Sequence, residues 1–165
     1  MEAPAWKASA LPLPTSGATE SSLTISWTDT SSNESGFEVQ RAPSAQGPFF
    51  TFATPGPNAT SVTDTGLAPG TPFHYRVRAI NASGASAYSL TVSGITLAPN
   101  APTNVMAAQE LINSVINLRV TWTDASNAEG AYQIERSTDQ MTWVETTAVP
   151  ANPTTFLTTT GAFGL

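Results

Sequence analysis

The chain has 165 residues, 12 acidic against 6 basic, a net charge of -6 and a single lysine, Lys7; nucleic acid and anionic membrane surfaces are bound through clusters of Lys and Arg, so neither is an expected partner. Cysteine is absent, which excludes a disulfide framework and a thiolate metal site. No apolar run approaches the ~18 residues of a membrane span, and Met1 to Pro14 shows neither the basic n-region nor the continuous apolar h-region of a signal peptide.

Ala3 to Pro14, rich in proline and alanine, predicts a proline-punctuated edge strand. Leu23, Ile25 and Trp27 alternate with polar residues, as do Phe37 and Val39 after the polar loop Asp29 to Gly36, which is the period of two half-buried strands. Pro48 to Ala53 and Thr60 to Thr63 predict two short strands, separated by Thr54-Pro-Gly-Pro-Asn58. In Thr71 to Ile80 the residues Phe73, Tyr75, Val77 and Ala79 share one face and His74, Arg76 and Arg78 the other. Ala87 to Leu97 is expected to return as a last strand after the loop Asn81 to Ser86. Seven short strands with turns between them describe a two-sheet antiparallel sandwich.

Ninety-five positions on, the pattern recurs. Leu23-Thr-Ile-Ser-Trp-Thr-Asp29 reappears as Leu118-Arg-Val-Thr-Trp-Thr-Asp124, and Glu34-Ser-Gly-Phe-Glu-Val-Gln-Arg41 as Glu129-Gly-Ala-Tyr-Gln-Ile-Glu-Arg136. A unit this long is a domain, since solenoid repeats run at roughly 20 to 50 residues. The expected division is a first domain over 1–97, a linker over 98–102 stiffened by Pro99 and Pro102, and a second domain over 103–165. With a one-residue deletion, Thr63 to Gly70 falls on Leu157 to Gly164, so Leu165 matches Thr71. The second domain is therefore expected to lack counterparts of the last two strands.

The run Trp27-Thr-Asp, then Glu34 to Arg41, then Thr63-Asp-Thr-Gly-Leu-Ala-Pro-Gly-Thr-Pro-Phe-His-Tyr-Arg-Val-Arg-Ala79 resembles the fibronectin type III family over nearly all of residues 10–97. The resemblance implies an all-β fold of tandem antiparallel immunoglobulin-like sandwiches, with Trp27 in the core and Leu67 plugging it. By the same logic Phe37, Val39, Phe73, Tyr75, Val77, Trp122, Tyr132 and Ile134 are expected core residues. Phe73 stands where the family usually has tyrosine, so the hydroxyl of its tyrosine corner is missing, a loss of about 0.5 to 1.5 kcal/mol.

Little chemistry is visible. His74 is the only histidine and is read as a surface residue. Asp29, Asn33 and Glu34, with Asp124, Asn127 and Glu129, are read as solvated turns, because their spacing is not that of a calcium loop. Glu34 with Arg41, and Glu129 with Arg136, are expected to pair across the sheet. No nucleophile elbow, phosphate loop or zinc motif is present, so neither catalytic residues nor cofactors nor metals are assigned. Asn33, Asn58 and Asn81 begin glycosylation triplets in predicted loops. Phe49, Phe50 and Tyr88 offer stacking surfaces for carbohydrate, though core positions are the favoured reading.

The resemblance implies a non-catalytic structural or protein-interaction module, a spacer, scaffold or filament subunit of an extracellular or cell-surface protein. An accessory module of a secreted polysaccharide-degrading enzyme and a virion surface protein are the alternatives. Tyr132, Ile134 and Trp143 form the candidate interaction face, to be covered by protein, a neighbouring subunit or the rest of a longer chain, by strand donation. Ala3 to Leu13 is a candidate donor.

Overall fold

The computed structural model describes the backbone of Ser9–Ala10 and residues 17–159. The expected donor Ala3 to Leu13 thus lies, apart from Ser9–Ala10, outside the described residues, as do Trp6, Lys7 and 160–165. The chain divides into two compact units, Met1–Ala98 and Pro99–Leu165.

In unit 1 one sheet has β1 (Ser9–Ala10), β2 (Ser22–Thr28) and β5 (Ser61–Thr65), in the order β1-β2-β5. The other has β3 (Gly36–Ala42), β4 (Phe50–Ala53), β6 (Pro72–Asn81) and two short pieces, β7 (Gly84–Ala85) and β8 (Val92–Ile95), both on β6. The inward rows of β2, β3 and β6 are those the alternation predicts. Leu23, Ile25 and Trp27, with Phe37, Val39, Tyr75, Val77, Ala79 and Leu67, make one buried cluster. Phe73 packs against this cluster without being fully buried. Leu67 is anchored by its amide to the Ser21 carbonyl at 3.0 Å. Gly70, at φ 59°, takes the left-handed conformation that lets the chain turn back into β6. The buried Thr96 hydroxyl accepts the Thr71 amide at 2.9 Å and donates to the Ala68 carbonyl at 2.7 Å. Thr96 thereby ties this turn in the absence of a hydroxyl at Phe73.

Two expectations on strands change. β5 runs on to Thr65 rather than ending at Thr63, so Asp64 is a strand residue and not a turn residue. Ala87 to Leu97 is not one continuous strand. The Ser86 and Ser89 hydroxyls accept the amides of Ala79 and Val77, at 3.0 and 3.1 Å. Serine side chains thus share β6 donors that a regular ladder would give to backbone carbonyls, and the strand breaks between Ala85 and Val92.

Unit 2 repeats the first five strands of this plan. β9 (Thr103–Ile112) and β10 (Val115–Thr123) form a long hairpin joined at Asn113 and Ser114, both at positive φ, as a two-residue turn requires. β10 also pairs with β13 (Thr155–Thr159), and β11 (Ala131–Arg136) pairs with β12 (Val144–Pro150). The registers match unit 1 residue by residue. Leu23 faces Asp64 and Leu118 faces Thr158; a bulge falls after Val39 in β3 and after Ile134 in β11. These are the offsets of the aligned repeat, including its one-residue deletion.

Candidate interaction face

The groups able to do chemistry in unit 1 are drawn into internal networks. Arg41 continues the inward row of Phe37 and Val39, and its guanidinium lies 2.9 and 3.0 Å from the two oxygens of Asp64. Asp64 is buried, and its second partner is the fully buried Tyr75 hydroxyl, which donates at 2.9 Å. Burial first, and then the Asp64 carboxylate, push the Tyr75 hydroxyl well above the usual tyrosine range. This bridge from β3 and β6 to β5 replaces the expected Glu34–Arg41 pair. Glu34 instead accepts the Ser31 hydroxyl at 2.6 Å and the Asn58 amide at 3.2 Å, because both lie within reach of its own loop. The corresponding Glu129 has the Tyr132 hydroxyl at 3.5 Å.

On the outer face of the same sheet, Glu38 accepts from Arg78 at 2.7 Å, Thr51 at 2.6 Å and Gln40 at 2.7 Å. Burial raises its pKa, but the three donors and the Arg78 charge outweigh that and hold it at about 2. The Arg76 guanidinium is sandwiched between Phe49 and Tyr88, 4.1 and 4.0 Å from their ring centres. Neither aromatic is therefore a core residue, and Phe50 is 65% exposed. The reading of Phe49 and Tyr88 as core gives way because Arg76 and Arg78 offer their rings a partner on the outer face, and that of Phe50 because its ring stays mostly in solvent. His74 belongs to this outer row by alternation and is half-buried.

The loops expected to be solvated turns are Asx-type turns. The Ser31 amide and hydroxyl both donate to Asp29 at 2.9 Å, and the Ser126 amide donates to Asp124 at 3.0 Å. Asn33 and Asn58 are exposed, whereas Asn81 ends β6 and its side chain donates to the Asn33 carbonyl at 3.1 Å. Among the described residues no group of three or more His, Cys, Asp or Glu is placed to hold a metal, and no helix is long and apolar enough to cross a membrane.

Unit 2 carries the surface that differs in kind. Trp122 and Tyr132 meet edge-on, ring centres 5.0 Å apart, where Trp27 and Phe37 meet in unit 1 at 5.4 Å. Burial, reinforced by the neighbouring Asp124 carboxylate, pushes the Tyr132 hydroxyl up to about 12. Around this pair the row thins out. Leu118, Val120 and Ile134 are half-buried where Leu23, Ile25 and Val39 are buried. A cavity of about 190 Å³ opens between Val105, Val120, Trp122, Tyr132 and Ile134. The apolar row continues past it to Ile116 and Leu111, which face each other across the hairpin at 49% and 70% exposure. In unit 1 the residues over the equivalent row are Tyr75, Val77 and Ala79 of β6. Tyr132, Ile134, Trp122 and Val120 line this one cavity. Trp143, 57% exposed, does not line the cavity; it holds the repeat position of Phe49, which is an outer-face residue.

The fibronectin type III domain model matches residues 12–95. No curated protein sequence matches the chain. Among solved structures it is similar to a two-domain fibronectin type III segment of chicken tenascin, with a TM-score of 0.56 at 17% identity over 93% of this chain and 81% of that one. It is also similar to the fn3 domain of human collagen alpha-1(XX), with a TM-score of 0.51 at 26% identity over 63% of this chain and 97% of that one. A beta-1,2-glucanase from Parabacteroides distasonis matches with a TM-score of 0.47 at 23% identity over 57% of this chain, and the chain spans 13% of that enzyme's length. It likewise spans 55% of the FN1-FN3 segment of chicken CNTN1. With the family model matching half of the sequence, and the two sheets, buried tryptophan and Leu67 plug in place, the chain belongs to the fibronectin type III family.

Proposed function

We propose that this chain is a non-catalytic spacer and protein-contact module of a secreted or cell-surface protein, and that it makes its contact through unit 2. Fibronectin type III modules are generally non-catalytic, commonly mediate protein contacts and are often extracellular. The observation that carries the reading is the exposed inner row of unit 2, from Leu111 and Ile116 to the cavity beside Trp122. A contiguous apolar surface of this kind marks an interaction site, because water cannot compensate uncovered aliphatic side chains as it does backbone groups. Unit 1 has no counterpart, since its row is closed by β6.

The test pairs activity with surface. The 165-residue chain is expected to leave common polysaccharides unhydrolysed, to melt at the same temperature with and without a chelator, and to bind a hydrophobic fluorescent dye at a site lost in Ile134→Glu. Turnover abolished by changing a single carboxylate, or a melting temperature lowered by the chelator, would overturn the non-catalytic reading. Dye binding unchanged in Ile134→Glu would overturn the assignment of the face.

A further inference from the structure

We propose that unit 1 carries a binding site for a small aromatic carboxylate, a single ring bearing one carboxyl group, in the cavity between Arg41 and the rings of Phe50, Phe52 and Phe73. The site belongs to unit 1 alone and does not rest on the contact made through unit 2.

A bulge in β4 builds it. Val39 faces Ala53, Gln40 faces Thr51 and Arg41 faces Phe50, so Phe52 is the extra residue between two paired ones. Phe52 and Ala53 therefore both pack against the core, and the Phe52 ring meets Tyr75 edge-on with centres 5.8 Å apart. Thr51 turns the other way, where its hydroxyl donates to Glu38 at 2.6 Å. Phe50 is left opposite Arg41 at the rim, 65% exposed. Phe73 of β6 forms the floor, with the Arg41 guanidinium 5.6 Å from its ring centre. The cavity so enclosed measures about 260 Å³, with Pro43 as a further wall. A void of roughly 150 Å³ holds one benzene ring, so this one takes a ring with a carboxyl group attached. In unit 2 the same register sets Arg136 opposite Val144, which offers no ring to stack on.

The guanidinium selects the charge. Asp64 occupies Nη1 alone, accepting from it with both oxygens at 3.0 and 2.9 Å. Nε and Nη2, on the other edge of the group, have no hydrogen-bond partner among the described residues, and the side chain is 38% exposed. Those two nitrogens form the fork that takes a carboxylate by two parallel charge-assisted bonds. A cationic ligand would be repelled by the same group. The remaining walls select the body of the ligand. They are aromatic and aliphatic, and the Thr51 hydroxyl is committed to Glu38, so the hydroxyls of a sugar acid would lose their hydration without finding partners. An aromatic ring instead gains stacking contact with Phe50.

Benzoate is the probe. It is titrated into the 165-residue protein and followed by the amide signals of Arg41, Phe50 and Phe73, with benzyl alcohol, acetate and glucuronate titrated separately. Saturable one-to-one binding of benzoate is expected, about tenfold tighter than that of benzyl alcohol or acetate. Arg41→Lys keeps a charge beside Asp64 but removes the fork, and should weaken benzoate binding about fivefold. Because Arg41 also braces Asp64, Phe50→Ala at the exposed rim is the second variant, and it should weaken binding by a similar factor without changing the melting of the protein. Ile134→Glu in unit 2 should leave benzoate binding unchanged. Absence of saturation, or benzyl alcohol bound as well as benzoate, would overturn the proposal. So would binding indifferent to Phe50→Ala or lost in Ile134→Glu. Glucuronate bound as tightly as benzoate would overturn the aromatic ligand in favour of a sugar acid.

Discussion

Replacing Trp27 by alanine should destabilise unit 1 by about 3 to 5 kcal/mol, the cost of emptying a buried aromatic site that cannot collapse. The indole is 3% exposed and lies against Phe37, between the inward rows of both sheets, so its removal leaves a void walled by Leu23, Ile25 and Val39. Phenylalanine should be tolerated far better. The indole N–H is buried and has no acceptor among the described residues, so Trp27→Phe sacrifices contact area but no hydrogen bond. Denaturant melts of the two variants measure the difference. A loss below about 1 kcal/mol in Trp27→Ala would contradict the placement of the ring at the centre of the sandwich. The same pair of changes at Trp122 should cost less, because the row around it is already half-open.

Asp64→Ala should rank close behind, at about 2 to 4 kcal/mol, because it strands the Tyr75 hydroxyl at a site with no access to water, worth roughly 1 to 3 kcal/mol, and leaves Arg41 unpaired. Breaking a fully buried pair costs roughly 3 to 5 kcal/mol, but Arg41 is 38% exposed and can swing into solvent, which places the expectation lower. Asp64→Asn keeps an acceptor for the tyrosine and should fall between alanine and the parent. A double-mutant cycle between Asp64→Ala and Tyr75→Phe separates the parts. If the hydroxyl is what Asp64 leaves orphaned, Tyr75→Phe should relieve much of the cost of Asp64→Ala. Additive losses would show that the carboxylate acts through Arg41 alone.

The row that builds the core was legible because strand alternation and the repeat point the same way: Trp27, Phe37, Val39, Tyr75 and Val77 are buried, and β11 and β12 share the bulge of β3 and β4. The Arg41–Asp64–Tyr75 bridge was signalled but not read. Arg41 follows Phe37 and Val39 on the inward row and Asp64 follows Val62, so two opposite charges fall on inward positions of strands in opposing sheets. What hid it was composition, since Thr-Asp-Thr-Gly looks like a turn and Glu34 looked like a nearer partner. The Phe49–Arg76–Tyr88 stack had no signal in any one strand, because its rings come from either side of β6 and meet only once the sheet is formed. Ser86 and Ser89 broke a strand whose alternation looked regular, by offering hydroxyls to β6. Trp143 is as hydrophobic as Tyr132 and Ile134, but its repeat partner Phe49 stacks on Arg76 on the outer face.

The central claim, that one sandwich is closed and its repeat presents an uncovered inner face, is tested most directly by amide hydrogen exchange on the 165-residue chain by itself. The account predicts that the amides of Ile25, Phe37, Val39, Tyr75 and Val77 exchange only through global unfolding of unit 1, while those of Leu118, Val120 and Tyr132 open at much lower free energy. Equal, global-level protection of both rows in the monomeric chain would contradict it.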